Sequence, residues 1–183
     1  MSALGTIERS GTLKSWSGVP QLVCHQIAWW ACVIWMGLLG PAIMLAFLAL
    51  HFVCVRRTWA IESRLVIVST LVGLTVDNSL ALTGSVSYVG DYLIGVCPLW
   101  LVAIWAGFGA TLKHSQSLFV RSPIHACLTG FVGGPLAYWG GERLQRMTVD
   151  GLTGWGMVSL TWGLALAILF FTVNISQEST PQT

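Results

Sequence analysis

The chain has 183 residues, of which 55% are hydrophobic and only 9% charged, with ten Trp and twenty Gly. Soluble domains carry about 25% charged residues, so a soluble fold would leave several apolar helices with no polar face for water. Length and composition together fit about six membrane spans and exclude a sizeable soluble domain beside them. A net charge of +2, with no basic run longer than Arg56-Arg57, excludes nucleic acid as a partner.

Residues 1–20 read as a polar cytoplasmic tail carrying Arg9 and Lys14. The first apolar run, 22–36, lacks a small-residue cleavage site and reads as a retained anchor. A Gly37–Pro41 turn signal separates it from a second run at 42–55. Both are short of the roughly 20 residues a bilayer needs. One kinked helix across both is the alternative, but it would put Lys14 and Arg56-Arg57 on opposite sides. A short basic loop at 56–64 leads to span three at 65–82, LVIVSTLVGLTVDNSLAL. The next loop, 83–96, has no basic residue and holds Tyr88, Tyr92 and Leu93, which suit a membrane interface. Span four at 97–112 opens with Pro98, favourable in a first helical turn. Lys113, His114 and Arg121 mark the following loop. Spans five and six follow at 123–141 and 152–173, with a polar tail at 175–183.

The expected fold is all-α: a polytopic six-helix transmembrane bundle over 21–174. Seven Lys/Arg (Arg9, Lys14, Arg56, Arg57, Arg64, Lys113, Arg121) fall on one side and two (Arg143, Arg146) on the other. Cytoplasmic loops carry the excess of basic residues, so both termini are expected in the cytoplasm. No internal repeat supports an inverted-repeat carrier.

Asp77 is the one carboxylate this reading finds inside a long apolar run. A charge at mid-membrane costs roughly 2.5–3.5 kcal/mol on insertion scales, so it needs a partner or a task. Helix rise places Asp77 roughly 18 Å from the cytoplasmic end of its span. At that depth Asn78, Trp100, Tyr138, Glu142 and Arg143 can gather round it as a ligand-binding cluster. Two readings stand: a site that holds a polar head group or exchanges a proton, or a structural anchor in which Asp77 pairs with Arg143 or accepts from Tyr138 and Trp indoles.

The four histidines fall in the cytoplasmic half. His25 and His51 share a depth on neighbouring spans, as a bis-histidine haem or a metal would require, though imidazoles also collect at interfaces. His51, Lys113, His114 and Ser115 form a secondary polar group, and the cations there complement a helix C-terminus. HEXXH, a second-helix Glu-x-x-His pair, GxSxG, GxGxxG and a phosphate loop are all missing, so no metal, cofactor or nucleophile is assigned. Five scattered cysteines without a CxxC read as buried thiols. Gly130 and Gly134 form GxxxG, a small face for close helix packing, with Pro135 beside it. Trp100, Trp105, Trp139, Trp155 and Trp162 read as belt and packing residues.

The ordered stretches LALH (Leu48–His51), GLTVDNSLALTG (Gly73–Gly84), CPLWLVAIWAGFGATLKHS (Cys97–Ser115) and GGPLAYWGGERL (Gly133–Leu144) resemble a family of small bacterial inner-membrane proteins, domain of unknown function family 2878. In that pattern His51, Asp77, Pro98-Leu99-Trp100, Trp105, His114-Ser115 and the Gly134–Gly141 motif have counterparts; His25 has none. The resemblance implies an inner-membrane location. It also implies a link to membrane lipid chemistry, through neighbouring lipid-modifying enzymes such as cyclopropane-fatty-acid-synthase-like methyltransferases.

The leading expectation is a non-enzymatic protein that binds a lipid or small amphiphile as an accessory factor in membrane lipid metabolism. Its partners would be membrane lipids, a lipid-modifying enzyme or a second copy of the chain. A proton-coupled transporter using Asp77, and a membrane enzyme or haem protein using His51 and His114, are the alternatives.

Overall fold

The computed structural model describes residues 18–91, 93–115 and 122–178. Arg9, Lys14, Tyr92 and Arg121 lie outside the described residues. Six helices account for most of the rest: α1 (Val19–Ile34), α2 (Leu39–Cys54), α3 (Trp59–Leu82), α4 (Leu99–Thr111), α5 (Pro123–Arg143) and α6 (Gly151–Glu178). By length and composition, α3 and the Gly151–Asn174 part of α6 can each cross a membrane.

Two helices, not one, occupy 19–54. A turn at 35–38 ends α1, with Gly40 N–H donating to Trp35 O. The Gln21 amide at the start of α1 meets His51 near the end of α2, so the pair runs antiparallel. Neighbouring helices continue to alternate. Glu62 at the start of α3 meets His114, just past the end of α4. Gly130 and Gly134 of α5 lie against Trp162 of α6, where any Cβ would collide with the Trp162 backbone or ring. GxxxG is thus a packing face here, as its small residues allow.

Helix α3 begins at Trp59, six residues before the expected boundary at 65. Its buried positions are Glu62, Leu65, Ser69, Gly73, Val76, Asp77 and Leu80, a stripe with helical spacing. Much of this stripe packs on α4. Ser69 Oγ donates to Trp105 O at 2.8 Å, and Gly73 lies flat against the Trp105 ring. The expectation that Asp77 stands alone is therefore corrected. Glu62, assigned to a loop from its basic neighbours, is a second buried carboxylate on the same helix face.

The connections at one end fold into small strands. β1 (Val86–Tyr88) pairs antiparallel with β4 (Met147–Val149), Ser87 opposite Thr148. β2 (Leu93–Ile94) pairs with β3 (Cys97–Pro98). Residues 83–91 and 93–98 thus build a cap over the bundle end. Polar groups share the apolar interior, and large apolar side chains line the outside. Gln21, His51, Glu62, Ser69 and Asp77 are buried, while Ile27, Leu45, Ile67, Leu128 and Leu164 are exposed on five helices.

Candidate functional site

Among the described residues, two polar clusters and one cleft stand out in the bundle. The first centres on Asp77, which is fully buried. Its Oδ1 accepts from the Tyr138 hydroxyl and from Tyr88 at 2.9 Å. Its Oδ2 accepts from Trp105 Nε1 at 2.8 Å and faces Cys97 Sγ at 4.0 Å. The two tyrosine oxygens are 3.1 Å apart. Four elements (α3, β1, α4 and α5) therefore converge on one carboxylate, and both of its oxygens are satisfied by neutral donors. Burial, with Tyr138 and Asp77 beside it, pushes the Tyr88 phenol well above its usual range.

Of the residues expected around Asp77, only Tyr138 bonds it. Arg143 is exposed and stands over the Trp139 ring at 5.4 Å. The Asp77–Arg143 pair is corrected: α5 turns Arg143 outward, and hydroxyl and indole groups fill its place. Asn78 faces the cap, where its Oδ1 accepts from Val96 N–H at 2.7 Å and its Nδ2 donates to Leu74 O at 2.8 Å. Trp100 Nε1 donates to Val89 O at 2.9 Å. Glu142 Oε1 accepts from Val149 N–H at 3.0 Å. These three hold the strand cap to the bundle. Trp105 supplies the indole donor of the anchor reading, while Tyr88, read in a loop, and Cys97, read as a buried thiol, are the partners missed.

The second feature lies at the opposite end and centres on Glu62. Oε1 is 3.1 Å from His114 Nε2, and Oε2 is 3.5 Å from His51 Nε2. Thr58 Oγ1 reaches Oε1 at 3.5 Å. Behind His51, Gln21 Nε2 lies 3.2 Å from its Nδ1 and also donates to Ala110 O at 3.0 Å. Gln21 Oε1 accepts from Ser115 N–H at 3.2 Å. The two backbone partners fix the Gln21 amide, which makes Nε2 the donor to His51 and leaves the His51 proton on Nε2, facing Glu62. His51, His114 and Ser115 are brought together as expected, Ser115 through its backbone. Lys113 is half-buried beside them. Glu62 and Gln21 were not anticipated, since one read as loop and the other as the edge of the tail.

A model of the family described as Protein of unknown function (DUF2878) matches residues 19–168. The chain belongs to this family. No curated protein and no solved structure matches it. The DUF2878 region contains every interior polar residue named here, from Gln21 to Tyr138.

The third feature of this DUF2878 chain is a cleft of about 320 Å³ between α1, α4, α5 and α6. Trp105, Phe108 and Trp162 wall it, with the Trp105 and Trp162 rings 4.6 Å apart. Gly133 faces it with open space beyond its Cα. His25 lines it too, buried, and neither ring nitrogen has a hydrogen-bond partner among the described residues. The bis-histidine arrangement of His25 and His51 does not form. Phe47 lies beside both rings, 5.6 Å from His25 and 6.3 Å from His51 by centroid, while His51 turns to Glu62. The cleft and the Asp77 cluster share Trp105: its ring faces the cleft and its N–H faces the carboxylate.

Proposed function

We propose that this chain is a six-span protein of the bacterial inner membrane, both termini cytoplasmic, that holds a lipid or other small amphiphile in the cleft beside α1. Alternating helices, an apolar outer surface and the seven-to-two distribution of basic residues support the topology. The observation that carries the ligand reading is His25. A buried imidazole with neither nitrogen satisfied loses about 1–3 kcal/mol, and a ligand polar group in the cleft removes that loss.

The cleft is graded. His25 and Thr129 each lie six residues into α1 and α5, roughly 9 Å from the same end. Trp105, Gly133 and Trp162 lie deeper. A polar head at the His25–Thr129 level with its chain along the aromatic wall matches that gradient. The link to lipid-modifying enzymes that the family resemblance implies fits such a ligand. Asp77 serves as the anchor that sets the Trp105 wall. A carrier that used Asp77 would have to bring water or substrate to it, and its exposure is 0%.

The test is mass spectrometry of lipids retained by the full chain after mild detergent purification, wild type against Gly133→Leu. Gly133 lines the cleft and a Cβ there meets nothing within 4 Å, so a leucine side chain at 133 projects into the cleft volume. A bound amphiphile in wild type that is absent from an equally stable Gly133→Leu protein is expected. Identical retention by the two proteins sinks the reading.

A further inference from the structure

We propose that His51, Glu62 and His114 form a binding site for a first-row divalent transition metal. This site is separate from the amphiphile cleft, and neither reading depends on the other. The three residues come from α2, α3 and the end of α4, and each offers one ligand atom, all within 4.8 Å of one another. The carboxylate oxygens stand 3.1 Å from His114 Nε2 and 3.5 Å from His51 Nε2. Metal–ligand bonds of about 2.0–2.1 Å in tetrahedral geometry place ligand atoms about 3.3 Å apart. Each imidazole stands near that spacing from its own carboxylate oxygen, and side-chain shifts that close the 4.8 Å set bring all three residues onto one ion. Two imidazoles and a carboxylate suit Zn²⁺ or Fe²⁺ better than Mg²⁺ or Ca²⁺, which take oxygen ligands. Three protein ligands leave a coordination position open, as in catalytic sites.

Burial adds weight. Glu62 and His51 side chains are 1% and 0% exposed, and His114 is 16% exposed, which leaves an approach from the bundle end. A carboxylate flanked by two imidazoles in an apolar bundle is costly unless something charged and persistent joins them. Loading has one defined structural consequence. The Gln21 amide holds the His51 proton on Nε2, so metal capture moves that proton to Nδ1. Gln21 must then turn or withdraw so that an acceptor faces Nδ1. Gln21 also bonds Ala110 O and Ser115 N–H, so this movement reaches the segment after α4.

The experiment is titration of the detergent-purified, metal-stripped full chain with Co²⁺, read by visible absorption and by bound metal per chain. One Co²⁺ per chain, with the absorption of a four- or five-coordinate nitrogen–oxygen site, is expected. His51→Ala and His114→Ala should each weaken binding by roughly tenfold or more. His125→Ala, which removes an exposed imidazole, should bind like wild type. Should His51→Ala fail to fold, the partly exposed His114 keeps the question open to test. Zn²⁺ should also raise the Tm of wild type and leave that of His114→Ala unchanged. Substoichiometric binding in wild type, or equal binding by wild type and His114→Ala, overturns the proposal.

Discussion

Helix α3 buries two carboxylates about fifteen residues apart, roughly 22 Å along its axis, and their surroundings differ in kind. Asp77 is met by two phenols, an indole and a thiol, none of which exchanges protons readily near neutral pH. Glu62 is met by two imidazoles, which are donors, acceptors or metal ligands according to tautomer. Indole N–H can only donate, and the phenols sit where donation is what the carboxylate needs. The Asp77 cluster is therefore committed to one arrangement. The Glu62 cluster can change partners. A buried acid becomes a candidate for chemistry through the titratable groups around it, and depth in the bundle alone does not make it one.

That contrast is sharpest when each acid is replaced by leucine. Asp77→Leu leaves the Trp105 N–H and at least one tyrosine hydroxyl unpaired in a fully buried setting. At about 1–3 kcal/mol per orphaned donor, a loss of about 3 kcal/mol or more is expected, read as the largest fall in Tm in detergent. Glu62→Leu strands chiefly the His51 N–H, because His114 is partly exposed and can reach water. A loss of about 1–2 kcal/mol is expected, together with loss of Co²⁺ binding. Equal destabilisation by the two substitutions would erase the distinction between anchor and adaptable site.

The legible and illegible parts of the molecule divide along the same line. Six helices and their approximate bounds could be read from apolar runs, because burial in a bundle leaves long uninterrupted stretches. Asp77 stood out for the same reason. Of its partners, Tyr138 and an indole donor could be anticipated from depth and chemistry, and Tyr88 and Cys97 could not. Tyr88 reaches it from a strand that exists only because Val86–Tyr88 pairs with Met147–Val149, a contact across some sixty residues. Arg143 had the right depth but the wrong azimuth: α5 presents Tyr138 inward and Arg143 outward, and depth counting cannot resolve rotation. Glu62 was hidden by Arg56, Arg57 and Arg64, whose charges suggest a loop although α3 already runs from Trp59. The His51–Glu62–His114 grouping has no motif, because two members lie on different helices and the third on the turn after another, so only packing sets their spacing.

Two smaller perturbations test how rigid the Asp77 arrangement is. Gly73→Ala places a methyl group where the Trp105 ring lies. Overpacking of this kind typically costs about 1–3 kcal/mol, and displacement of the indole should also reshape the cleft wall. The expected readout is a lowered Tm together with reduced retention of the co-purifying amphiphile. Unchanged retention would separate the cleft from the anchor.

The smallest effect is expected from Tyr88→Phe, which removes one of three principal donors while Tyr138 and Trp105 still satisfy both carboxylate oxygens. A loss of about 0.5–1.5 kcal/mol is expected. Its value lies in alkali. The Tyr88 phenol is raised above its unfolded value by burial and by its neighbours Tyr138 and Asp77. A raised folded pKa gives stability that is fully present below the unfolded phenol pKa, about 10, and is lost as pH climbs above it. Wild type should therefore lose stability above about pH 10 more steeply than Tyr88→Phe, and the two melting curves should draw together. Phenolate absorbance from Tyr88 should appear only with unfolding. A Tyr88 that ionises in the folded protein near its ordinary value would mean that the cap opens to water, and that the Asp77 cluster is as adaptable as the one around Glu62.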